Sequence, residues 1–537
     1  MQISELPSSD DCPISIVWLK RDFRIQDHYP LAVGSQSQAV LPIWIVEPKW
    51  WESSDMDRTH FGFAKTAALE LREKLRALGG DLIIQIADVV EAFEALSKRF
   101  TIREILSHEE TGGMWTYRRD KKLLAWCKSK NIPWREFRQD GVVRRLANRD
   151  QWALRWQQWA EAKQAPVIQR ISLPATLQST DSWQKITASE QELNDFEKRL
   201  PDVAIPNLAG GLRLQAAGED RAGALLESFL DHRGIDYRSS MSSPISAEQS
   251  CSRLSPYLAW GCINVRQVYQ RLGQVRRGPP WGTSLSSFRS RLSWHCHFMQ
   301  KLEDEPDLEF RNLCRAYDGL REEHFSEERF EAWCRGQTGF PMIDACMRYL
   351  HKSRWINFRM RAMLVSFAAY DLWLHWRKPA EFLARNFLDF EPGIHYPQVQ
   401  MQSGVTGINT IRIYSPEKQG KDQDPQGMFV REHLPELARV PIHLLWTPWK
   451  MSLDDQVRYG CQLGKDYPRP LVDHQLAVRQ AKEKLYAVRG SHEAQQLAIQ
   501  VAKKHASRKR RDPIPTRRRV SKNNPDQPLL PGFEETE

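Results

Sequence analysis

The segment Ser252-Arg253-Leu254-Ser255-Pro256-Tyr257-Leu258 sets two hydroxyl residues just before a proline that suits the first turn of a helix. A helix start offers unpaired N–H groups and the positive end of a dipole, which suits a phosphate or pyrophosphate. An ordinary helix cap has the same pattern. A second group, Trp355-Ile356-Asn357-Phe358-Arg359-Met360-Arg361, opens an apolar run and is followed by Asp389-Phe390-Glu391. A guanidinium facing a carboxylate across a buried pocket stays charged and can hydrogen-bond a polar heterocycle; a structural salt bridge uses the same two residues. The third group is aromatic, with Trp294, Trp333, Trp355, Trp373 and Trp376 all in the C-terminal half of a chain that holds 20 tryptophans. Oxidisable rings in van der Waals series can relay electrons to a photoexcited cofactor, and core packing is the plainer use of them.

Hydrophobic periodicity divides the scaffold that must position these residues. Over residues 14–140 strand-like runs, Ser15 to Leu19, Val40 to Val46, Leu82 to Ile86 and Glu104 to Ser107, alternate with helix-period stretches at Thr59 to Leu78, Val89 to Lys98 and Trp115 to Lys130. This βαβ punctuation predicts an α/β domain with a doubly wound parallel sheet and a ligand crevice beyond the carboxyl ends of its strands. No G-x-G-x-x-G follows a strand, which disfavours a standard dinucleotide site. Residues 141–215, interrupted by Pro166, Pro174, Pro201 and Pro206, read as an interdomain connector. Residues 216–495 read as an all-α domain, with helices at Ala222 to Arg233, Tyr257 to Gly273, Leu285 to Leu302, Pro341 to Leu350, Ile356 to Trp376 and Asp473 to Val488. Residues 503–537 form a charged, proline-punctuated tail expected to be disordered.

The 537 residues carry a formal charge of +10, but Lys503 to Lys522 alone holds ten Lys/Arg against one Asp. The folded body is therefore close to neutral, and any nucleic-acid groove on it must be a local patch. Nine scattered cysteines without a C-x-x-C pair argue against a disulfide framework, a zinc site or an iron–sulfur cluster, so no metal is expected and the compartment reads as reducing and cytoplasmic. The polar, acidic opening residues lack the pattern of a secretory signal. The richest apolar run, Ala362 to Trp376, is broken by Ser366, Asp371 and His375, which suits a buried helix and not a membrane span.

In order and at matching distances, Ser252 to Leu258, Gly336 to Asp344, Trp376-Arg377, Arg412 to Pro416, Gln419 to Pro425, Leu434 to Leu437, Trp446 to Trp449 and Tyr467 to Pro470 resemble the motifs of the photolyase/cryptochrome family. Trp18 to Arg24 resembles that family's opening strand and loop, and the resemblance spans roughly residues 14 to 489. It implies an antenna-type α/β domain joined to an all-α domain that binds FAD, a monomer, and UV-damaged DNA as the partner, or a signalling partner reached through the tail. Tyr237, Cys251, Ser252, Arg253, Leu254 and Ser255 fall where the family holds the flavin's phosphates and ribityl chain, Cys251 replacing a Thr. Arg361, Asp389, Phe390 and Glu391 fall beside the isoalloxazine ring. His395 falls opposite flavin N5, where an imidazole could donate a hydrogen bond or a proton. His108-Glu109-Glu110-Thr111-Gly112-Gly113, at the end of an expected strand, reads as an antenna-site loop without selecting a folate or a deazaflavin.

The departures lie in the parts that do photochemistry and repair. Val399 stands where the family's electron relay begins, although Trp376 matches its middle member. Photoreduction is left to another route among Trp373, Trp376, Tyr370 and Tyr396. In the pocket that holds damaged DNA in repair enzymes, Trp294 keeps one of two rings, Met401 replaces the other, Arg291 replaces a Glu, and Asn357-Phe358 replaces a His/Asn pair. The reading is therefore a DNA photolyase or a cryptochrome-like photoreceptor. The charge distribution yields one expectation independent of that choice: removing the chain after Val501 weakens DNA binding evenly across sequences and flattens its dependence on salt. Binding isotherms at several salt concentrations measure this, and an unchanged slope assigns the basic run elsewhere.

Overall fold

A computed structural model describes residues 12–177, 183, 186–203, 211–275, 278–279 and 281–506. The expected disordered tail therefore lies, from residue 507 on, outside the described residues. Five strands, β1 (Ile14–Leu19), β2 (Val40–Val46), β3 (Ile83–Ile86), β4 (Ile102–His108) and β5 (Trp134–Phe137), form a parallel sheet in the order β3-β2-β1-β4-β5. Helices α1 (Arg58–Ala77), α2 (Val89–Ser97) and α3 (Met114–Lys130) make the crossovers after β2, β3 and β4, and the short helix Tyr29–Gly34 makes the one after β1. β1 and β2 are buried along their whole length, as central parallel strands covered on both faces must be, and so they read as unbroken apolar runs. The sequence reading missed β5, whose W-R-E-F is mostly half-exposed and gains strand geometry from pairing with β4. The order reverses between β1 and β4, which opens the crevice at their carboxyl ends.

The C-terminal domain is helical throughout. Its site-bearing elements are α4 (Ser255–Ala259), α5 (Val265–Gln274), α6 (Trp281–Asp304), α7 (Pro341–Ser353), α8 (Phe358–Ser366), α9 (Arg377–Asn386), α10 (Pro392–Gln402), α11 (His474–Gly490) and α12 (His492–His505). The helix α12 was not foreseen, and Lys503 and Lys504, which open the basic run, form its last turn; Lys504 and His505 both reach Glu305.

Two expected helices are broken, each for a local reason. The stretch from Tyr257 to Gly273 divides into α4 and α5 because Gly261 adopts φ +65 and carries the chain past the N-terminal domain. The Ile356 to Trp376 stretch runs as α8, passes through a wide π-type turn at Phe367–Asp371, and ends where Trp373 takes φ +55. There the buried Asp371 carboxylate pairs with His474 at the start of α11.

Gly261 offers a sharp test. A Cβ at this position would lie 2.1 Å from the Arg21 carbonyl oxygen and 2.5 Å from the Asp22 Cα, both backbone atoms. The left-handed φ adds a penalty of its own. Gly261→Ala should destabilise the chain by about 2–4 kcal/mol from strain and overpacking together, read as a shifted denaturation midpoint in urea.

Candidate functional site

The segment between α9 and α10 is held by its backbone. The carbonyl of Phe387 accepts from His60 Nε2 at 2.8 Å, that of Leu388 from Trp260 Nε1 at 2.9 Å, and that of Phe390 from Arg21 Nη2 at 2.8 Å. Two of these donors come from the α/β domain and the third from the residue that follows α4. Asp389, fixed in the middle of this segment, receives Arg361 Nη1 and Nη2 at 2.9 Å each, a bidentate pair. Burial works against the Asp389 charge, but the paired Arg361 guanidinium outweighs it and holds the carboxyl below its ordinary range. Asp389 is thereby tied to α8 through Arg361, while Ser255 opens α4. Arg361 also lies 4.1 Å over the Phe387 ring and stays 22% exposed, so a ligand can still reach it.

On the phosphate side, Ser252 Oγ accepts from the Leu254 N–H at 3.4 Å, and Leu254 is buried. Arg253 adopts φ +60, lies 3.9 Å over the Trp355 ring and donates from Nε to Gln215 at 3.0 Å. Burial raises the Cys251 thiol to about 12 and, likewise, the Tyr237 phenol to about 12, where Arg291 is a hydrogen-bond partner. Arg291 also reaches the Met241 sulfur at 3.9 Å, and Asn357 donates to the carbonyls of Met241 and Ser242 at 3.1 and 2.7 Å. Tyr237, Arg291 and Asn357 therefore gather around the turn at Met241. The Asn357 Oδ1 is buried without a hydrogen-bond partner.

His395, on α10, sits among the rings of Phe390 (5.3 Å), Tyr396 (5.4 Å) and Phe387 (5.8 Å). Its Nε2 lies 2.9 Å from the Ala380 carbonyl, an oxygen that can only accept, so Nε2 carries the hydrogen and Nδ1 is a lone pair. Burial lowers its pKa to about 4, against the help of that hydrogen bond. The proton donation expected from the sequence does not fit this neutral tautomer, whose Nδ1 accepts. Glu391 behaves oppositely: burial raises its pKa to about 7, although Arg21 lies 3.4 Å away.

Trp376 is buried and donates from Nε1 to Asn312 at 2.7 Å. Trp294 on α6 is half-buried, with the rings of His297 and Phe298 at 5.1 and 5.6 Å. Met401 and Val399 are buried on α10.

Sequence reasoning passed over the trio Asp22, His28 and His108, the one group among the described residues with the spacing of a metal site. Asp22 Oδ2 lies 2.7 Å from His108 Nδ1 and 3.0 Å from His28 Nε2. His28 Nδ1 accepts the Leu31 N–H at 3.1 Å, so its Nε2 carries the hydrogen and is no ligand lone pair, and that Nε2 makes no hydrogen bond despite its approach to the carboxylate. The trio ties the ends of β1 and β4. The expected antenna loop lines two adjoining clefts between the domains. One, of about 200 Å³, is bounded by Trp50, Asp55, Gly112, Gly113, Glu309 and Arg377; the other, of about 40 Å³, by Lys20, Glu109, Asp140, His295 and Glu391.

Two family models match this chain, one described as DNA photolyase over residues 15–148 and one as the FAD binding domain of DNA photolyase over residues 288–487. A deoxyribodipyrimidine photo-lyase of Alkalihalophilus pseudofirmus is 28% identical over 502 residues, covering 89% of this chain and 98% of that protein. A cryptochrome DASH of Gloeobacter violaceus is 27% identical, covering 85% of this chain and 93% of that protein. Among solved structures, a class III photolyase from Agrobacterium tumefaciens superposes with a TM-score of 0.73 at 22% identity, over 91% of this chain and 99% of that one.

The neutral His395 makes a pH prediction. Its folded pKa is lowered from 6.5 to about 4, so the unfolded chain binds the extra proton first. The stability tied to the neutral ring is complete above pH 6.5 and is lost as pH falls through 4. His395→Asn should therefore flatten the fall in melting temperature over that interval; parallel curves for the two proteins would contradict the neutral assignment.

Proposed function

The chain belongs to the photolyase/cryptochrome family and binds FAD, and from that premise we propose that it is a light-dependent DNA photolyase acting on UV-induced pyrimidine photoproducts. The observation that carries this reading is the bidentate Arg361–Asp389 pair, on a segment held against the α/β domain by the Arg21 hydrogen bond to Phe390. The donor set suits the cofactor: hydroxyls and N–H groups at the start of α4 for the pyrophosphate, and a bidentate guanidinium–carboxylate pair for the polar edge of the isoalloxazine. When bound, FAD supplies the light-absorbing electron carrier that splits the photoproduct and recovers the electron.

The chain's own residues do the rest. Arg361 and Asp389 orient the ring, and burial of Asp389 and Phe390 keeps water from that side. His395 offers an acceptor nitrogen. Trp294 gives a half-exposed ring on which an extruded base can stack, whereas Met401 and Asn357, the other residues read into that pocket, are buried. A second chromophore, if a folate or a deazaflavin, would occupy the clefts beside Gly112 and Gly113, whose lining selects neither. Nine unpaired cysteines suit the cytoplasmic location we assign, and among the described residues no helix is long and apolar enough to cross a membrane.

A second reading, a cryptochrome-like photoreceptor signalling through its C-terminal extension, is favoured by Arg291. This residue takes the place of the lesion-binding acid and engages Tyr237 and Met241. The deciding experiment is an assay of light-dependent repair on DNA carrying cyclobutane dimers or (6-4) photoproducts. Repair of either supports the enzyme, and a flavin-loaded protein that repairs neither supports the photoreceptor. Flavin retention tests the site itself. Asp389→Ala strands the Arg361 charge at a cost of about 3 kcal/mol, so it should shed FAD far more readily than Cys251→Ser, which restores a hydroxyl. Equal retention by the two variants contradicts the ring-side role.

A further inference from the structure

Four aromatic residues are candidates to replace the ring that Val399 lacks, and their surroundings separate them. Trp373 lies between two cations, with the Arg321 guanidinium 4.6 Å from its ring and the Lys484 ammonium 4.6 Å from it. Both charges oppose removal of an electron from that ring. Tyr370 is buried, has the Arg321 guanidinium 5.7 Å from its ring, and holds its hydroxyl without a hydrogen-bond partner, so no base takes its proton on oxidation. Trp376 is tied through Nε1 to Asn312, a neutral amide.

Tyr396 differs from all three. Its hydroxyl donates to Asp55 Oδ2 at 3.1 Å, across the interface between the domains. Ser53 occupies the other carboxylate oxygen at 2.8 Å, which leaves Oδ2 to the phenol. The Tyr396 ring lies 5.4 Å from His395, 6.2 Å from Phe390 and 6.4 Å from Trp376. It also stands one helical turn before Val399 on the same face of α10, at the i, i+3 spacing. The missing ring thus has a substitute one turn away, between the flavin-side residues and Trp376.

We propose that Tyr396 is the electron donor in photoreduction and that Asp55 takes its proton. The inference rests on the flavin site described under Proposed function. In the step, the Tyr396 O–H bond breaks and an O–H bond forms at Asp55 Oδ2, while one electron passes to the light-excited oxidised flavin. The products are a neutral phenoxyl radical, a protonated Asp55 and a flavin carrying one more electron, so charge and atoms balance. Burial, together with the charges of Asp55, Glu309 and Glu381, holds the phenol pKa well above its ordinary value, so the proton stays on Tyr396 until the electron leaves. Asp55 borders the larger cleft, which gives the proton a polar exit past Ser53 and Glu309.

The test uses the full chain loaded with FAD, its loading checked by absorption, and electron paramagnetic resonance on samples frozen under illumination. The parent should show a neutral tyrosyl signal that narrows when ring-deuterated tyrosine is incorporated. Tyr396→Phe should lose that signal while keeping its flavin, and Trp373→Phe should keep both. Asp55→Asn, which retains a hydrogen-bond partner but accepts no proton, should also lose the signal, and the slowing of electron arrival in D2O seen in the parent should vanish. A tryptophan radical in the parent, or an unchanged radical in Tyr396→Phe, overturns the proposal while leaving the flavin site intact. Failure of the parent to take up FAD overturns the site reading and this proposal with it.

Discussion

Three hydrogen bonds to backbone carbonyls, from His60 to Phe387, from Trp260 to Leu388 and from Arg21 to Phe390, fix the segment on which the ring-side residues stand. A buried carbonyl left unpaired costs about 1–3 kcal/mol, so each donor is also an obligation that the rest of the fold must keep. His60 keeps it through its tautomer: Nδ1 accepts the Asp57 N–H at 3.2 Å inside the cap of α1, which leaves Nε2 to donate across the interface. The start of one α/β-domain helix thereby sets the position of a carboxylate in the other domain.

The same interface explains why the two domains act as one structure. Gly261 brings the chain after α4 against the backbone of Arg21 and Asp22, and Arg24 donates to the Gly261 carbonyl at 3.0 Å. Arg21 reaches Phe390 and Glu391, and Asp55 reaches Tyr396. Polar side chains from the loops after β1 and β2 thus end on α10 or on the segment before it. Loops at the carboxyl ends of parallel strands are where α/β sheets place ligands, and here they also buttress the helical domain's site.

Electrostatics then assigns different tasks to chemically similar groups. Asp389 and Glu391 are two residues apart, yet the bidentate Arg361 holds the first below its usual range, while burial lifts the second to about 7. Trp373 and Trp376 are three apart, yet only the first lies between two cations. Neighbouring charge and burial, more than residue type, set the protonation state of one pair and the ease of oxidation of the other.

The sequence by itself determined the fold class, because short unbroken apolar runs alternating with period-3.6 stretches are a property of the chain and survive without partners. Arg361 and Asp389 were legible as a pair, since each lies in a motif whose spacing fits the family. The tertiary structure alone decided what needs two distant segments at once: the edge strand Trp134–Phe137, the break at Gly261, the carbonyl that fixes the tautomer of His395, and the carboxylate of Asp55 on Tyr396, 341 residues away. Periodicity along a chain reports which face an element buries. It does not report which atom from another domain meets that face, and at this site that atom decides where a proton sits and which ring yields an electron.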